Sequence, residues 1–307
     1  MRQVRSISII IPVFNSENCI GELLERLMDV SRQLDLQTEI IAVDDGSSDN
    51  SWEVLKGTGA QSLFPVKRIR LSRNFGQHHA LICGMSKAKG DVVITIDDDL
   101  EFLPEDIPVL LERYLSGNSE VVYGVPQSKK ISAWRKSQSF CYKKLAGWVN
   151  KSGVGSSFRL LSSSLVKEIV KHSSPFIFID ELCLWYTDKV EVVQVRHELS
   201  KRSRSNYNSF KLVALTSNLI LISSTFPLKL ITRLGFILML TNFFIGFYII
   251  IQKMFFSIKV LGYTSLIVSI LFSTGIILFS LGIIAQYVSK ILLSQYGKPS
   301  YHIAEEI

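Results

Sequence analysis

The chain has 307 residues, with 34 Lys and Arg against 27 Asp and Glu and a net charge of +7, enough for one large domain and an appendage. The basic residues concentrate between Gln127 and Lys151 and between Arg196 and Lys211, close to long apolar segments, so anionic headgroups or a phosphorylated lipid explain the charge more simply than nucleic acid does. Cys19, Cys83, Cys141 and Cys183 are scattered without a CxxC pair, which argues against disulfides and zinc and for reduced packing thiols in a cytosolic compartment.

In chain order, Ser6 to Val13 (SISIIIPV) is a β-branched run, the pattern of a strand buried on both faces of a parallel sheet and too short for a secretory signal. Glu39–Val43, Val66–Leu71 and Val92–Ile96 repeat that pattern, and Glu17–Leu34, Ser48–Lys56 and Gln77–Ala88 between them carry a helical period. The alternation predicts right-handed βαβ crossovers and hence a Rossmann-like, doubly wound α/β sheet, mostly parallel, with helices on both faces. Ligands in such sheets bind beyond the carboxyl ends of the strands. Pro104 then opens a helix to about Leu115, and Glu120–Tyr123 offers a fifth strand. Ser132–Asn150 reads as a cationic amphipathic helix, with Trp134, Cys141, Leu145 and Trp148 set against Arg135, Lys136, Lys143 and Lys144; it suits a membrane interface or a solvated face.

After residue 205 the character changes. Phe210–Ile231 is apolar but interrupted by Asn218, Pro227 and several hydroxyl residues, so 206–232 is expected to form interfacial helices. Leu234–Ile251 and Thr264–Val288 are apolar and uncharged, each long enough for a hydrocarbon core of about 30 Å. They predict an α-helical transmembrane hairpin over 233–290, with helices at about 234–253 and 264–288; buried core helices are the alternative, and two such runs without a polar face leave nothing for water to wet. Lys229, Arg233, Lys290 and Lys298 flank the pair while only Lys253 and Lys259 lie between. The positive-inside rule then puts the 1–205 domain, both termini and the 291–307 tail in the cytoplasm of a multi-pass cell-membrane protein.

Two acidic runs stand where a ligand is expected. The second strand ends in Asp44-Asp45-Gly46-Ser47-Ser48-Asp49. A carboxylate there can accept from the N3 imide of uracil or thymine, Gly46 permits a tight turn, and Ser48 or Asp49 can cap the next helix. The fourth strand ends in Asp97-Asp98-Asp99-Leu100-Glu101, and neighbouring carboxylates repel unless a cation supplies charge. Residues two apart on an extended segment point the same way, so Asp97, Asp99 and Glu101 can converge on one divalent metal, Mg2+ or Mn2+, with diphosphate oxygens and water completing its shell. Such a metal neutralises charge on a departing nucleotide diphosphate; a solvated acidic loop is the plain alternative. His78 and His79, adjacent on a helix, point apart and suit packing or exposure better than metal binding.

Ile11-Pro12-Val13-Phe14-Asn15 with Glu17, the DDGSSD run, Leu71-Ser72-Arg73-Asn74-Phe75-Gly76-Gln77 and the DDDLE run together resemble glycosyltransferase family 2, and within it the polyprenyl-phosphate glycosyltransferases. The likeness extends through Gly282, Gln286 and Tyr287 to Lys298-Pro299. It implies a GT-A fold, a nucleotide-sugar donor of UDP or dTDP type, inversion at the anomeric carbon, a polyprenyl-phosphate acceptor such as undecaprenyl phosphate, and a homo-oligomer, by resemblance a tetramer. It also implies that Pro12, Phe14, Glu17 and Asp45 line the nucleotide pocket, with Asp44 and Asp98 beside them, and that Asp97 and Asp99 form the DxD metal motif. Glu101 stands where many relatives carry Gln. Arg73, Asn74 and Gln77 are expected to face the nucleotide or metal, and Arg135 matches a basic residue near the phosphates.

Two departures stand out. Val125-Pro126 replaces an arginine of many relatives, leaving Lys129 or Lys130 to substitute, and Lys201–Tyr207 keeps only part of an R-x-x-G-x-S-x-Y pattern, with Ser200 and Ser203 at the Arg and Gly positions. Arg202 and Arg204 are the candidates for gripping the lipid phosphate, since guanidinium forks match phosphate oxygens; a general membrane-charge role is the alternative. A phosphate acceptor is already anionic, so positioning and charge neutralisation can carry much of the barrier. Asp180, counted with Asp97, Asp99 and Arg135 as catalytic, and Glu181 could assist or contact sugar hydroxyls. A processive polysaccharide synthase would show a QxxRW motif, which is absent; a non-catalytic nucleotide-sugar-binding scaffold would not need the metal carboxylates.

Overall fold

The computed structural model describes residues 2–58, 65–127, 155–171, 178–198, 262–295 and 299–307, with single helical positions between 233 and 251. Two compact units emerge, one of Met1–Asn206 with Gly297–Ile307 and one of Tyr207–Tyr296.

In the first unit, strands β1 (Ser6–Val13), β2 (Gln37–Asp44), β3 (Val66–Leu71) and β4 (Val92–Thr95) alternate with helices α1 (Ile20–Gln33), α2 (Ser51–Gly57) and α3 (Gln77–Lys87). β1 pairs in parallel with both β2 and β4, and β2 with β3. β1 is buried along its length after Ser6, as its unbroken apolar run requires of a central parallel strand. A short 3-10 turn (Pro104–Asp106) leads into α4 (Ile107–Ser116) and β5 (Val121–Pro126). The expected fourth strand thus stops one residue earlier, at Thr95, and the fifth runs on to Pro126.

Beyond these lie elements the sequence reading did not separate: β6 (Arg159–Ser162), α5 (Ser163–Lys171), α6 (Ile179–Tyr186), β7 (Val190–Val195) and β8 (Ile303–Glu306). The eight strands run β7-β5-β6-β4-β1-β2-β3-β8. β6 is antiparallel to both β4 and β5, β7 is parallel to β5, and β8 is antiparallel to β3. The sheet is therefore mixed but mostly parallel through its centre. Ile303–Glu306, expected within a cytoplasmic tail over 291–307, supply its edge strand.

Each face carries its own core. Leu23, Leu24 and Leu27 of α1, Trp52 and Leu55 of α2 and Leu110 of α4 cover one side; Leu81 and Met85 of α3, Leu165 and Ile169 of α5 and Leu182 of α6 cover the other. Successive crossovers thus take α1 and α3 to opposite faces, which opens a crevice between the carboxyl ends of β1 and β4. Cys19, Cys83 and Cys183 are buried and form no disulfide, and burial pushes the Cys83 and Cys183 thiols up to about 12, so those two remain inert packing groups.

The second unit contains α7 (Tyr263–Gln295), 33 residues long. Its exposed side chains include Leu266, Ile270, Ile277, Leu281, Ile284 and Val288. Thr274 and Ser280 turn their hydroxyls onto the carbonyls of Ile270 and Ile276, each at 2.8 Å, which satisfies them without water. Taken over the described side chains, which cover only part of α7, no helix is long and apolar enough to cross a membrane.

Candidate active site

Four neighbouring strands end at one mouth, and each chain turns there through the left-handed region: Asn15 (φ 49°) after β1, Gly46 (φ 67°) after β2, Gly76 (φ 99°) after β3 and Leu100 (φ 60°) after β4. A Cβ on Gly46 would lie 2.5 Å from the Arg73 carbonyl carbon, so the two loops touch backbone to backbone. Asn15 tolerates its turn because its Oδ1 accepts from the Ser48 backbone at 2.9 Å. Leu100 has no such side-chain help and is buried, so the acidic turn stores strain of the kind that accumulates at functional sites.

Several carboxylates expected to face a ligand hold the loops in place. Asp98 accepts from the Phe14 backbone at 2.9 Å, closing the β1–β4 crevice at its base. Both oxygens of Asp45 are engaged, by Phe75 N–H at 2.7 Å and Gly76 N–H at 2.8 Å. Glu17 accepts from Asn50 N–H while Asp49 accepts from Glu17 N–H, a reciprocal pair at 3.0 and 3.2 Å. Asp44 is fully buried, accepts from Ser47 N–H at 3.1 Å and faces Arg70 Nε at 3.3 Å. Burial pushes both Asp44 and Asp45 above the usual carboxylate range, with the hydrogen bonds just named acting against it. Behind Asp44, the Arg70 guanidinium lies 5.7 Å from the Trp52 ring, and Trp52 Nε1 donates to Glu305 of β8 at 3.1 Å. Phe14, Arg73 and Asn74 are exposed at the mouth, with Arg73 over the Phe75 ring at 4.8 Å. Pro12 is buried within β1 opposite Val43 of β2.

At the end of β4, Gln77 Nε2 donates to Asp97 Oδ1 at 2.5 Å. The Asp97 carboxyl is pushed up to about 6, chiefly by burial and further by the charges of Asp99 and Asp98, against a hydrogen bond with Ser157 and the charge of Arg159. Asp99 accepts from Glu101 N–H at 3.1 Å. Glu101 sits 3.2 Å from His197 Nε2, at the end of β7. Among the described residues, no group of three or more His, Cys, Asp or Glu side chains is arranged to hold a metal ion. A desolvated carboxylate at Asp97 beside the charge of Asp99 nonetheless suits a hard cation whose remaining ligands are water and phosphate oxygens.

Asp180, in the first turn of α6, meets Arg159 Nη1 at 2.5 Å. Arg159 Nε also donates to Thr95 Oγ1 at 3.1 Å, and that hydroxyl donates to the Ser157 carbonyl at 2.6 Å. His78 packs edge-on against Phe178 with ring centroids 5.1 Å apart, and burial with the nearby Arg159 charge lowers its pKa to about 4. The sequence reading passed over Arg159, Thr95, Arg70 and Trp52; a lone charge inside the apolar run Phe158–Leu161 was the available signal. Arg135, Arg202 and Arg204, with the helix expected over Ser132–Asn150 and the interfacial segment 206–232, lie outside the described residues.

The sequence profile of Glycosyl transferase family 2 matches residues 8–168. Undecaprenyl-phosphate 4-deoxy-4-formamido-L-arabinose transferase of Pseudomonas savastanoi pv. phaseolicola (strain 1448A / Race 6) is 31% identical over 310 residues, covering 99% of this chain and 91% of that protein. Bactoprenol glucosyl transferase of Shigella phage SfV is 30% identical over 305 residues, 98% of each chain. Glucosyl-3-phosphoglycerate synthase from Mycobacterium tuberculosis, crystallised with Mn2+ and UDP-glucose, superposes with a TM-score of 0.48 at 20% identity, over 71% of this chain and 77% of that one, a likeness too remote to bear on the chemistry.

Proposed function

Since the chain belongs to glycosyl transferase family 2, we propose that it moves a sugar, with inversion, from a UDP- or dTDP-type donor onto a polyprenyl phosphate such as undecaprenyl phosphate, for use in cell-surface glycan modification. The observation that carries this reading is the placing of two acidic strand ends, Asp44-Asp45 after β2 and Asp97-Asp98-Asp99 after β4, on either side of the carboxyl end of β1, in a chain similar over nearly its full length to proteins named for prenyl-linked sugar transfer.

The nucleotide occupies the β1–β2 side, where exposed Phe14 and the loops fixed by Asp45, Glu17 and Asp98 present backbone groups and ring surface, and where Arg73 and Asn74 flank the opening. Asp97 and Asp99 are the ligands for a divalent metal, Mg2+ or Mn2+, which when bound neutralises the diphosphate. Gln77 orients the Asp97 carboxylate through its 2.5 Å hydrogen bond. Asp180, anchored by Arg159, accepts from sugar hydroxyls and orients the anomeric carbon. The acceptor phosphate is anionic at neutral pH, so Asp180 need not take a proton from it. Arg135 near the donor phosphates, and Arg202 and Arg204 near the lipid phosphate, complete the proposed charge neutralisation.

The second unit is proposed to anchor the enzyme in the cell membrane through two helices, with the catalytic unit on the cytoplasmic side. The 33-residue length of α7 and the absence of Asp, Glu, Lys and Arg between Thr264 and Val288 support that reading. By resemblance the assembly is a homo-oligomer. The test is a donor screen in detergent with radiolabelled nucleotide sugars, undecaprenyl phosphate and either metal, scoring label that enters the organic phase. One donor is expected to label the lipid; silence across all donors with both metals overturns the reading.

A further inference from the structure

We propose that Arg159 is a positioning residue for transfer, locking Asp180 to the acidic end of β4 through the loop Gly155–Arg159; this rests on the functional reading above. Arg159 is 2% exposed and opens β6, where the antiparallel register sets it opposite both Thr95 of β4 and Tyr123 of β5. Thr95 lies two residues before Asp97, so the hydrogen bond from Arg159 Nε reaches the base of the acidic turn. The other end of the guanidinium holds Asp180. One planar cation thus ties Asp180 to Thr95, two residues before Asp97, across segments far apart in sequence.

The loop adds three more ties. The Ser157 carbonyl accepts from Thr95 Oγ1, and the Ser157 side chain hydrogen-bonds with Asp97. A Cβ on Gly155 would stand 3.2 Å from Asp180 Oδ2, so the loop backbone lies against that carboxylate. Stability alone is a poor reason for this arrangement, because an ion pair that desolvates a guanidinium as fully as Arg159 gains little over well-packed apolar side chains of similar volume. What the pair does supply is a fixed distance and direction between the carboxylate on α6 and those on β4, the kind of rigidity a reacting geometry needs.

The test uses the full chain in detergent with the donor found by the screen, measuring kcat, donor KM and thermal midpoint for Arg159→Met, Arg159→Lys and the double variant Arg159→Met/Asp180→Asn. Arg159→Met is expected to lower kcat roughly 100-fold with donor KM within about threefold. Arg159→Lys keeps a cation but not the fork, and is expected to lower kcat about tenfold with its midpoint nearly unchanged. The double variant also removes the Asp180 carboxylate, partly exposed, that Arg159→Met leaves without its guanidinium, so its midpoint recovers while kcat stays low. Recovery of kcat together with the midpoint, a shift confined to donor KM, or a folded Arg159→Lys with wild-type kcat each overturns the proposal. Inactive wild-type protein would instead sink the functional reading on which it stands.

Discussion

The two halves of the sheet build their share of the site by different means. On the β4-β1-β2-β3 side every strand runs the same way, and each delivers its residues to the mouth through the loop that directly follows it. On the β7-β5-β6 side, β6 runs against its neighbours and Arg159 stands at its start, so the Arg159–Asp180 contact depends on pairing between segments remote in the chain. One half presents its carboxylates on strand-end loops tied to one another by several hydrogen bonds, the other on a single arginine set in place by antiparallel pairing, and the second is the more exposed to damage by a single lost partner.

The largest effect that bears on this contrast is expected on the local side. Asp99→Asn should cut transfer by about a thousandfold, near 4 kcal/mol of barrier, if that carboxylate holds the metal; a sugar-transfer assay with thermal melting checks it, and full activity at saturating metal removes Asp99 from the site. Next is Gly46→Ala, which forces a side chain into a left-handed turn and onto the Arg73 backbone. It should cost about 3 kcal/mol in urea unfolding, and a cost under about 1 kcal/mol would show that the β2 and β3 loops give way easily.

His78 probes the seam between the halves. Its folded pKa near 4 lies below the ordinary value of 6.5, so the unfolded chain binds the extra proton and stability falls as pH drops below 6.5, until the folded protein also protonates near 4. Between pH 7 and pH 5 wild type should lose about 2 kcal/mol relative to His78→Gln, a difference from which the opposing titration of Asp97 near 6, common to both proteins, cancels; parallel pH profiles for the two would mean His78 is solvated. The smallest effect is at the far edge. Trp52→Phe removes the donor to Glu305 and should cost about 1 kcal/mol in the same unfolding measurement.

The sequence revealed the local half well for a physical reason. β-branched runs broken by helical period fix β1, β3 and α3 from short windows, and the carboxyl-end rule then places Asp44, Asp45 and Asp97–Asp99 without any knowledge of distant residues. Partnership is what stayed hidden. An aspartate looks the same whether its oxygens await a ligand or, as in Asp45, accept two backbone N–H groups. Arg159 bonds a threonine 64 positions away and Trp52 a glutamate 253 positions away, separations at which no periodicity in the chain can register. β8 escaped for a related reason: four residues with two consecutive acids read as a solvated end until Lys67 and Lys87 are brought beside Glu306.

That last strand has a topological consequence. β8 lies along β3, with the Ile307 backbone donating to and accepting from Arg68 at 2.9 and 2.8 Å, so the polypeptide leaves the catalytic body at one point and is stitched back into it at another. Residues 207–296 are therefore a loop closed on a single folded object. If that stretch crosses a bilayer, an odd number of passages would strand the two partners of this ladder on opposite sides, so the number of passages must be even.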